Sequence, residues 1–175
     1  MREGIHHVFV WAPRPPGSCP SVDTLFREGA RGAAAGAIGT VPMSAVMLIG
    51  QRLGWMNDQP PKALTEEGLR LAGVRDEVSE EAIDALAVAS HLGFGAASGA
   101  LFDLLQRAIP EASPLPLGIA FGLGVWAASY RGWIPAVGLL PLGQRRGGRG
   151  TVVMIAAHAV YGATIGALAG RNDRA

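Results

Sequence analysis

Residues 32–51 read GAAAGAIGTVPMSAVMLIGQ and contain no Asp, Glu, Lys or Arg. Three further stretches share this property, at residues 85–102, 112–130 and 150–170, so that the four runs are 18 to 21 residues long. A bilayer core of roughly 30 Å needs about 20 helical residues to cross it. A helix on the surface of a water-soluble protein carries charged side chains on its wet face, and these runs carry none.

The runs therefore predict an all-α fold, a four-helix transmembrane bundle. The predicted spans cover about 28–54, 82–107, 115–133 and 150–170. The competing interpretation is the buried core of a water-soluble helical protein, because the mean hydropathy is only +0.27 and the runs are rich in Ala and Gly rather than Leu. Four helices without a charged face favour contact with lipid.

The composition excludes several classes of protein. Hydrophobic residues make up 49% of the chain and charged residues 17%, which excludes a disordered protein. The single Cys19 excludes a disulfide framework and a cysteine-based zinc site. A net charge of +1 gives no basic face, so no nucleic-acid partner is expected. No phosphate-binding loop and no hydrolase or zinc-protease motif occurs, so neither an enzyme nor a metal or cofactor site is predicted.

The remaining segments are polar or rich in proline. Residues 1–20 are predicted to be a flexible tail, residues 21–170 the membrane domain and residues 171–175 a second tail. A polar loop, residues 56–81, is expected to hold one or two short surface helices, with Ser79 as the N-cap of the second span. Lys and Arg divide seven to eight between the two sides of a four-span protein, so the positive-inside rule gives no orientation.

Spans two and four share a sequence pattern. Residues 91–101 read HLGFGAASGAL and residues 158–168 read HAVYGATIGAL. The shared form, H-x-x-aromatic-G-A-x-x-G-A-L, predicts that the bundle consists of two tandem helical hairpins. A tandem copy of a hairpin enters the membrane from the same side, so the two copies are expected to be related by a pseudo-twofold axis along the membrane normal.

Glycines four residues apart mark the predicted helix contacts. Such pairs let helix backbones approach closely in lipid, where dispersion forces drive packing. The predicted packing residues are Gly32, Gly36, Gly95, Gly99, Gly118, Gly122, Gly162 and Gly166. His91 and His158 lie on the same stripes as the glycines of their helices, so both imidazoles are expected to face protein.

Both histidines are expected at a similar depth, on the side of the bundle that carries Trp55 and Trp133. The candidate functional polar cluster comprises His91, His158, Tyr161, Tyr130 and Arg131. Ionisable residues inside a membrane are functional candidates by default. Three interpretations stay open, which are hydrogen bonding between helices, sensing or conduction of protons, and ligation of a metal or haem.

Several segments resemble a known group of proteins. They include PMSAVM at 42–47, PKALT at 61–65, HLGFGA at 91–96, FGLGVWAASYRGWIPAVGLLP at 121–141 and AHAVYG at 157–162. Over about residues 28–170 the chain resembles an uncharacterised bacterial family of small four-span integral membrane proteins, and it is more distantly similar to the YagU-like inner-membrane family. The resemblance implies a multi-pass protein of the bacterial inner membrane, with a loose association with acid tolerance.

Two functions follow as hypotheses. The first is proton or acid response through His91 and His158. The alternative is a non-catalytic subunit or scaffold that packs against a membrane-protein partner through its glycine-rich helix faces. The lipid bilayer is the expected partner, with a homo-oligomer as a further option. The polar loop discriminates between the hypotheses, because a loop folded over the histidine side would resemble a gate and one projecting away a docking element.

Overall fold

The structure is a computed structural model that describes residues 22–56, 59–138 and 148–172. The predicted tail at residues 1–20 and most of the predicted tail at 171–175 lie outside the described residues.

Helices dominate the described residues, and none of these residues lies in a strand. The α-helices are α1 (Val22–Arg52), α2 (Pro60–Leu71), α3 (Glu80–Ala108), α4 (Pro114–Ala128), α5 (Ile134–Ala136) and α6 (Arg149–Asn172). A 3₁₀ turn, Arg75–Glu77, precedes α3, and one turn of π-helix, Ser129–Trp133, joins α4 to α5. The prediction of an all-α fold is confirmed.

Three of the described helices are long and apolar enough to cross a membrane. They are Phe26–Arg52, Glu80–Ala108 and Arg149–Gly170. Their bounds lie within a few residues of the first, second and fourth predicted spans, because the charge-free runs determine where a helix can lie in hydrocarbon. This composition indicates a membrane protein.

The third predicted span, 115–133, is helical, but it is not among the helices that are long and apolar enough to cross a membrane. Here α4 has only 15 residues, about 22 Å of helix, which is shorter than a bilayer core. The backbone leaves helical geometry at Gly132, with φ −109° and ψ −105°. Pro135 follows three residues later and has no N–H to donate to the preceding turn, which favours a break at this position.

The helices pack as antiparallel neighbours. Helix α1 lies along α3 and α6, and α6 also lies along α4, whereas α3 and α4 contact each other sparsely. Arg107 at the end of α3 forms an ion pair with Glu28 near the start of α1. At the opposite end of the bundle, the guanidinium of Arg149 at the start of α6 lies 5.9 Å from the ring centroid of Trp55. The α1–α3 and α1–α6 pairs therefore run antiparallel, as predicted.

Large apolar side chains cover the outside of the bundle. On α1, Ile38 is 56% exposed, Val41 67% and Ile49 58%. The interior holds Met47, Phe102 and other apolar residues in one cluster. A water-soluble protein rarely exposes apolar side chains in such a row, so this outer face fits contact with lipid.

The polar segment between α1 and α3 forms one surface helix, α2, followed by the 3₁₀ turn. Ser79 begins α3 as its N-cap, and its Oγ accepts a hydrogen bond of 3.3 Å from the N–H of Ala82. The predictions of a short helix in this segment and of the Ser79 cap are confirmed.

Candidate functional site

Glycine contacts bring the helices together in two pairs. A Cβ atom added at Gly36 on α1 would lie 2.9 Å from the Cα of Gly99 on α3, and one added at Gly118 on α4 would lie 2.9 Å from the Cα of Gly166 on α6. These are contacts between backbones, so no side chain fits at either position. The eight glycines predicted to pack the helices are all buried in these two pairs: Gly32, Gly36, Gly95, Gly99, Gly118, Gly122, Gly162 and Gly166.

A cavity opens between the helices at the level of the histidines. It has a volume of about 320 Å³ and lies among α1, α3, α4, the π turn and α6. We call it the histidine cavity, and its lining includes His91, His158, Tyr130, Tyr161, Met154 and Trp133. It lies where α3 and α4 contact each other sparsely, so the helix pairs surround it without filling it.

Helix α2 covers one end of the histidine cavity. Pro60, Pro61, Leu64 and Thr65 of this helix contribute to the lining. The polar segment therefore folds over the histidine side of the bundle and does not project away from it.

His158 is buried and held in a fixed orientation. Its side chain is 5% exposed, and its Nδ1 lies 2.8 Å from the carbonyl oxygen of Met154, to which it donates a hydrogen bond. The ring of Tyr130 meets the imidazole edge-on, with centroids 6.2 Å apart. Since Nδ1 carries the proton in a neutral ring, Nε2 is left as a hydrogen-bond acceptor.

His91 is half-buried and differs from His158 in its hydrogen bonding. Its Nε2 is buried and has no hydrogen-bond partner within the described residues. A buried polar atom without a partner is unusual and calls for an explanation. In the cavity of a membrane protein, a ligand, a water molecule or a change of rotamer can supply the partner.

The other members of the candidate cluster are placed differently. The hydroxyl of Tyr161 donates a hydrogen bond of 2.7 Å to the carbonyl oxygen of Gly95, which ties α6 to α3. Arg131 is not part of the cluster, because its guanidinium lies 5.9 Å from the ring centroid of Trp126 and it does not line the histidine cavity. Arg131 follows Tyr130 directly, and consecutive helical residues point in different directions, so sequence proximity was a poor guide here.

A second cavity lies between α1, α2 and α3. It has a volume of about 770 Å³, and its lining includes Lys62, Glu66, Asp84, Thr40, Pro61 and His91. We call it the polar cleft. The Lys62 ammonium lies 2.7 Å from an Asp84 carboxylate oxygen and 3.4 Å from Glu80. The hydrogen bond with Asp84, with a smaller contribution from Glu80, raises the pKa of Lys62.

His91 lies between the two cavities. Together with Thr40 and Pro61 it lines both the histidine cavity and the polar cleft. His91 therefore lies between a cleft whose lining includes charged side chains and a cavity whose lining is mostly apolar. Within the described part of the chain, no group of three or more His, Cys, Asp or Glu side chains is arranged to hold a metal ion.

Sequence reasoning missed several residues of the site. Met43 and Met47 on α1 and Met154 on α6 are buried and line the histidine cavity. Met154 precedes His158 by four residues, so it shares a helix face with that histidine, and this spacing could have indicated its place. The rings of Phe94 on α3 and Trp133 on the π turn lie 6.3 Å apart, a contact that no local pattern predicts.

Residues 26–175 match a family of unknown function, DUF6789. The chain belongs to this family. The match includes α3, α4, almost all of α1 and both cavities, so the described site lies within the DUF6789 region. No curated protein and no solved structure matches the chain. The similarity to the YagU-like family and the bacterial inner-membrane location stay predictions.

Proposed function

We propose that the chain is a four-span membrane protein that responds to acid through His91 and His158. The observation that carries this proposal is the position of His91, which lines both the polar cleft and the histidine cavity. The imidazole of His91 can be protonated on the side of the polar cleft, and its new charge then alters the packing of the histidine cavity.

The packing of α4 supports a fourth crossing. Gly118 lies against Gly162 and Gly166, and Pro114 lies near Gly170 at the end of α6. At the other end Tyr130 lies against His158. Helix α4 thus runs alongside α6, and the π turn and α5 extend it to residue 136, a length of about 34 Å if the rise stays near 1.5 Å per residue. An interruption is tolerated in a membrane where neighbouring protein satisfies the freed backbone groups.

The glycine contacts also support two tandem hairpins. Gly36 meets Gly99 on α3 in the same way that Gly118 meets Gly166 on α6, with 2.9 Å from the added Cβ to the facing Cα in both cases. Gly99 and Gly166 occupy equivalent positions in the sequence repeat. A shared sequence pattern with a shared contact pattern is expected of a duplicated hairpin.

Protonation gives the histidines a physical effect. An imidazolium ion surrounded by apolar side chains is strongly unfavourable. Two carboxylates line the polar cleft together with His91, those of Glu66 and Asp84. We infer that a protonated His91 turns toward the cleft and that α2, which lies over the ring, shifts with it.

The ionisable groups around His91 are few. Helix α2 contributes Lys62 and Glu66, α3 contributes Asp84, the π turn Tyr130, and α6 His158 and Tyr161. Helix α1 contributes no ionisable side chain to the lining of either cavity. Near neutral pH the histidines are the groups of this set whose ordinary pKa permits a change of charge.

The proposal predicts that acid destabilises the folded protein and that the double variant His91→Gln, His158→Gln loses this effect. Because an imidazolium is unfavourable inside the bundle but not in the unfolded chain, protonation below the ordinary pKa of about 6.5 lowers the free energy of unfolding by about 2 kcal/mol at pH 5 through the enclosed His158, while His91 takes up its proton in the folded protein. The unfolding midpoint in nanodiscs should therefore fall by about 4 to 8 °C between pH 8 and pH 5. In the double variant it should stay nearly constant.

Glu81→Gln is the matched control, because it removes an exposed carboxylate of α3 that lines neither cavity and leaves both imidazoles in place. It should retain most of the pH dependence. A double histidine variant whose midpoint still follows the wild-type pH curve would contradict the acid-response proposal.

The scaffold alternative has less support. The glycine faces on which it relied are buried inside the bundle, where α1 meets α3 and α4 meets α6. Gly29, Gly93 and Gly124 have no neighbouring atom within 4 Å of an added Cβ, but they do not form a continuous stripe. A partner would therefore need a different surface.

A further inference from the structure

We propose that the histidine cavity binds a neutral, membrane-soluble molecule that carries a hydroxyl group on an apolar body, of the class of alkylphenols and quinols. This inference shares the cavity with the proposed acid response but does not depend on protonation. It rests on the size, the charge and the hydrogen-bonding groups of the cavity.

The size and the walls of the cavity suit a small organic molecule. Its volume of about 320 Å³ falls at the lower end of the range for small-molecule sites, roughly 300 to 1,000 Å³. Phe94, Trp133, Val125 and Met43 supply apolar and aromatic surface. Such a space holds an aromatic ring with a short stretch of hydrocarbon chain.

The lining indicates that the ligand carries no charge. No Asp, Glu, Lys or Arg side chain lines the histidine cavity within the described residues. Lys62, Glu66 and Asp84 lie in the polar cleft, on the other side of His91. An ionised carboxylate or ammonium group in the cavity would lack a counter-ion, which is strongly unfavourable in apolar surroundings.

Several hydrogen-bonding groups of the cavity have already used their protons. Of the seven lining hydroxyls, four donate to backbone carbonyl oxygens, those of Thr40, Thr65, Ser90 and Tyr161. His158 donates from Nδ1 to Met154, so its Nε2 accepts when the ring is neutral. A ligand that donates a hydrogen bond therefore finds an acceptor in His158 Nε2, which a hydroxyl can use and an ether or a ketone cannot.

The cavity is placed to receive a ligand from the bilayer. Phe94 and Trp133, 45% and 46% exposed, face each other across the gap between α3 and the π turn, with ring centroids 6.3 Å apart. Because α3 and α4 contact each other sparsely, these two partly exposed rings form the side wall of the cavity. A molecule dissolved in hydrocarbon would enter by displacing them, without crossing the polar cleft.

A matched pair of compounds tests the inference, 4-nonylphenol and its methyl ether 4-nonylanisole. They have almost the same size and hydrophobicity and differ in the hydroxyl proton. Saturable binding of each tritiated compound is measured with protein in nanodiscs at pH 8, against empty nanodiscs, which account for partition into lipid. We expect the phenol to bind about tenfold more tightly, the effect of one buried hydrogen bond.

Two variants locate the binding. His158→Phe removes the acceptor and keeps an aromatic ring, so it should lower the affinity for the phenol to that for the anisole, and unchanged anisole binding would show that the cavity is intact. Thr65→Trp on α2 should fill the cavity and abolish binding of both compounds. Leu101→Trp, on the exposed face of α3 outside the cavity, is the matched control and should bind both like the wild type.

Equal affinity for the two compounds would overturn the inference, as would tighter binding of decanoate, whose carboxylate is ionised at pH 8. Absence of saturable binding in the wild type would overturn it too. None of these results bears on the acid response, because pH 8 lies well above the ordinary pKa of imidazole and the pH dependence of stability is measured without ligand.

Discussion

Replacing Gly36 or Gly118 by Ala should destabilise the folded bundle by about 1 to 3 kcal/mol, the usual effect of forcing an extra carbon into a packed interior. In both positions the added Cβ would collide with backbone atoms of the facing helix. Backbone cannot rotate away as a long side chain can, so the helices must separate. The measurement is the free energy of unfolding in detergent, from titration with denaturant.

Gly93→Ala and Gly124→Ala are the matched controls. Both glycines lie within helices, and an added Cβ meets nothing within 4 Å. Ala is the better helix former by about 0.5 to 1 kcal/mol, so these variants should be neutral or slightly more stable. If Gly36→Ala and Gly118→Ala behaved like the controls, the close contact of the helices would be wrong. If only one of them were destabilised, the proposed equivalence of the two hairpins would be contradicted.

Residues before and after α4 should be exposed on opposite sides of the membrane. The test uses single cysteines in a background with Cys19→Ser, at Glu111 before α4 and at Val137 after α5. A membrane-impermeant maleimide added to sealed vesicles of one orientation should label one site and leave the other unlabelled. This result is all-or-none, because a charged reagent does not cross the hydrocarbon core.

Two further sites calibrate the result. Phe26, at the start of α1, should be labelled together with Glu111, and Arg70 on α2 should be labelled together with Val137. All four cysteines should react once detergent opens the vesicles. Labelling of Glu111 and Val137 from the same side would show that the broken helix does not cross, and the protein would then have three spans.

The sequence predicts the long helices well because bilayer thickness and charge act locally. The run at 85–102 lies inside α3, and the run at 150–170 coincides with most of α6. The π turn after α4 was not predicted, because the run at 112–130 continues without charge up to that turn. Gly132 and Pro135 were visible in the sequence, but a proline inside α1, Pro42, does not interrupt that helix. Contacts with neighbouring helices determine whether a helix continues through a proline, as at Pro42, or is interrupted, as near Pro135.

The candidate site was predictable only in part. The spacing between the histidines and their glycines placed His158 in the interior, since both lie on one helix stripe. The cavity itself depends on the separation of α3 and α4 and on the fold of α2 over the bundle, which involve residues far apart in the chain. For that reason Met43 and Met47 were missed, and the cavity lining does not include Arg131.

The central claim is that protonation of His91 moves α2 over the histidine cavity. The direct measurement is the distance between spin labels at Arg70 on α2 and Val152 on α6, by double electron–electron resonance in nanodiscs at pH 8 and pH 5. Both side chains are exposed, and Arg70 forms an ion pair only with Glu67 among the described residues, so labels there should disturb the fold little.

We predict a longer and broader distance distribution at pH 5 than at pH 8 in the wild-type background, and one distribution at both pH values in His91→Gln. Glu81→Gln serves again as the control and should still show the wild-type shift. The claim would be contradicted by a wild-type distribution that does not change with pH, or by an equal shift in His91→Gln.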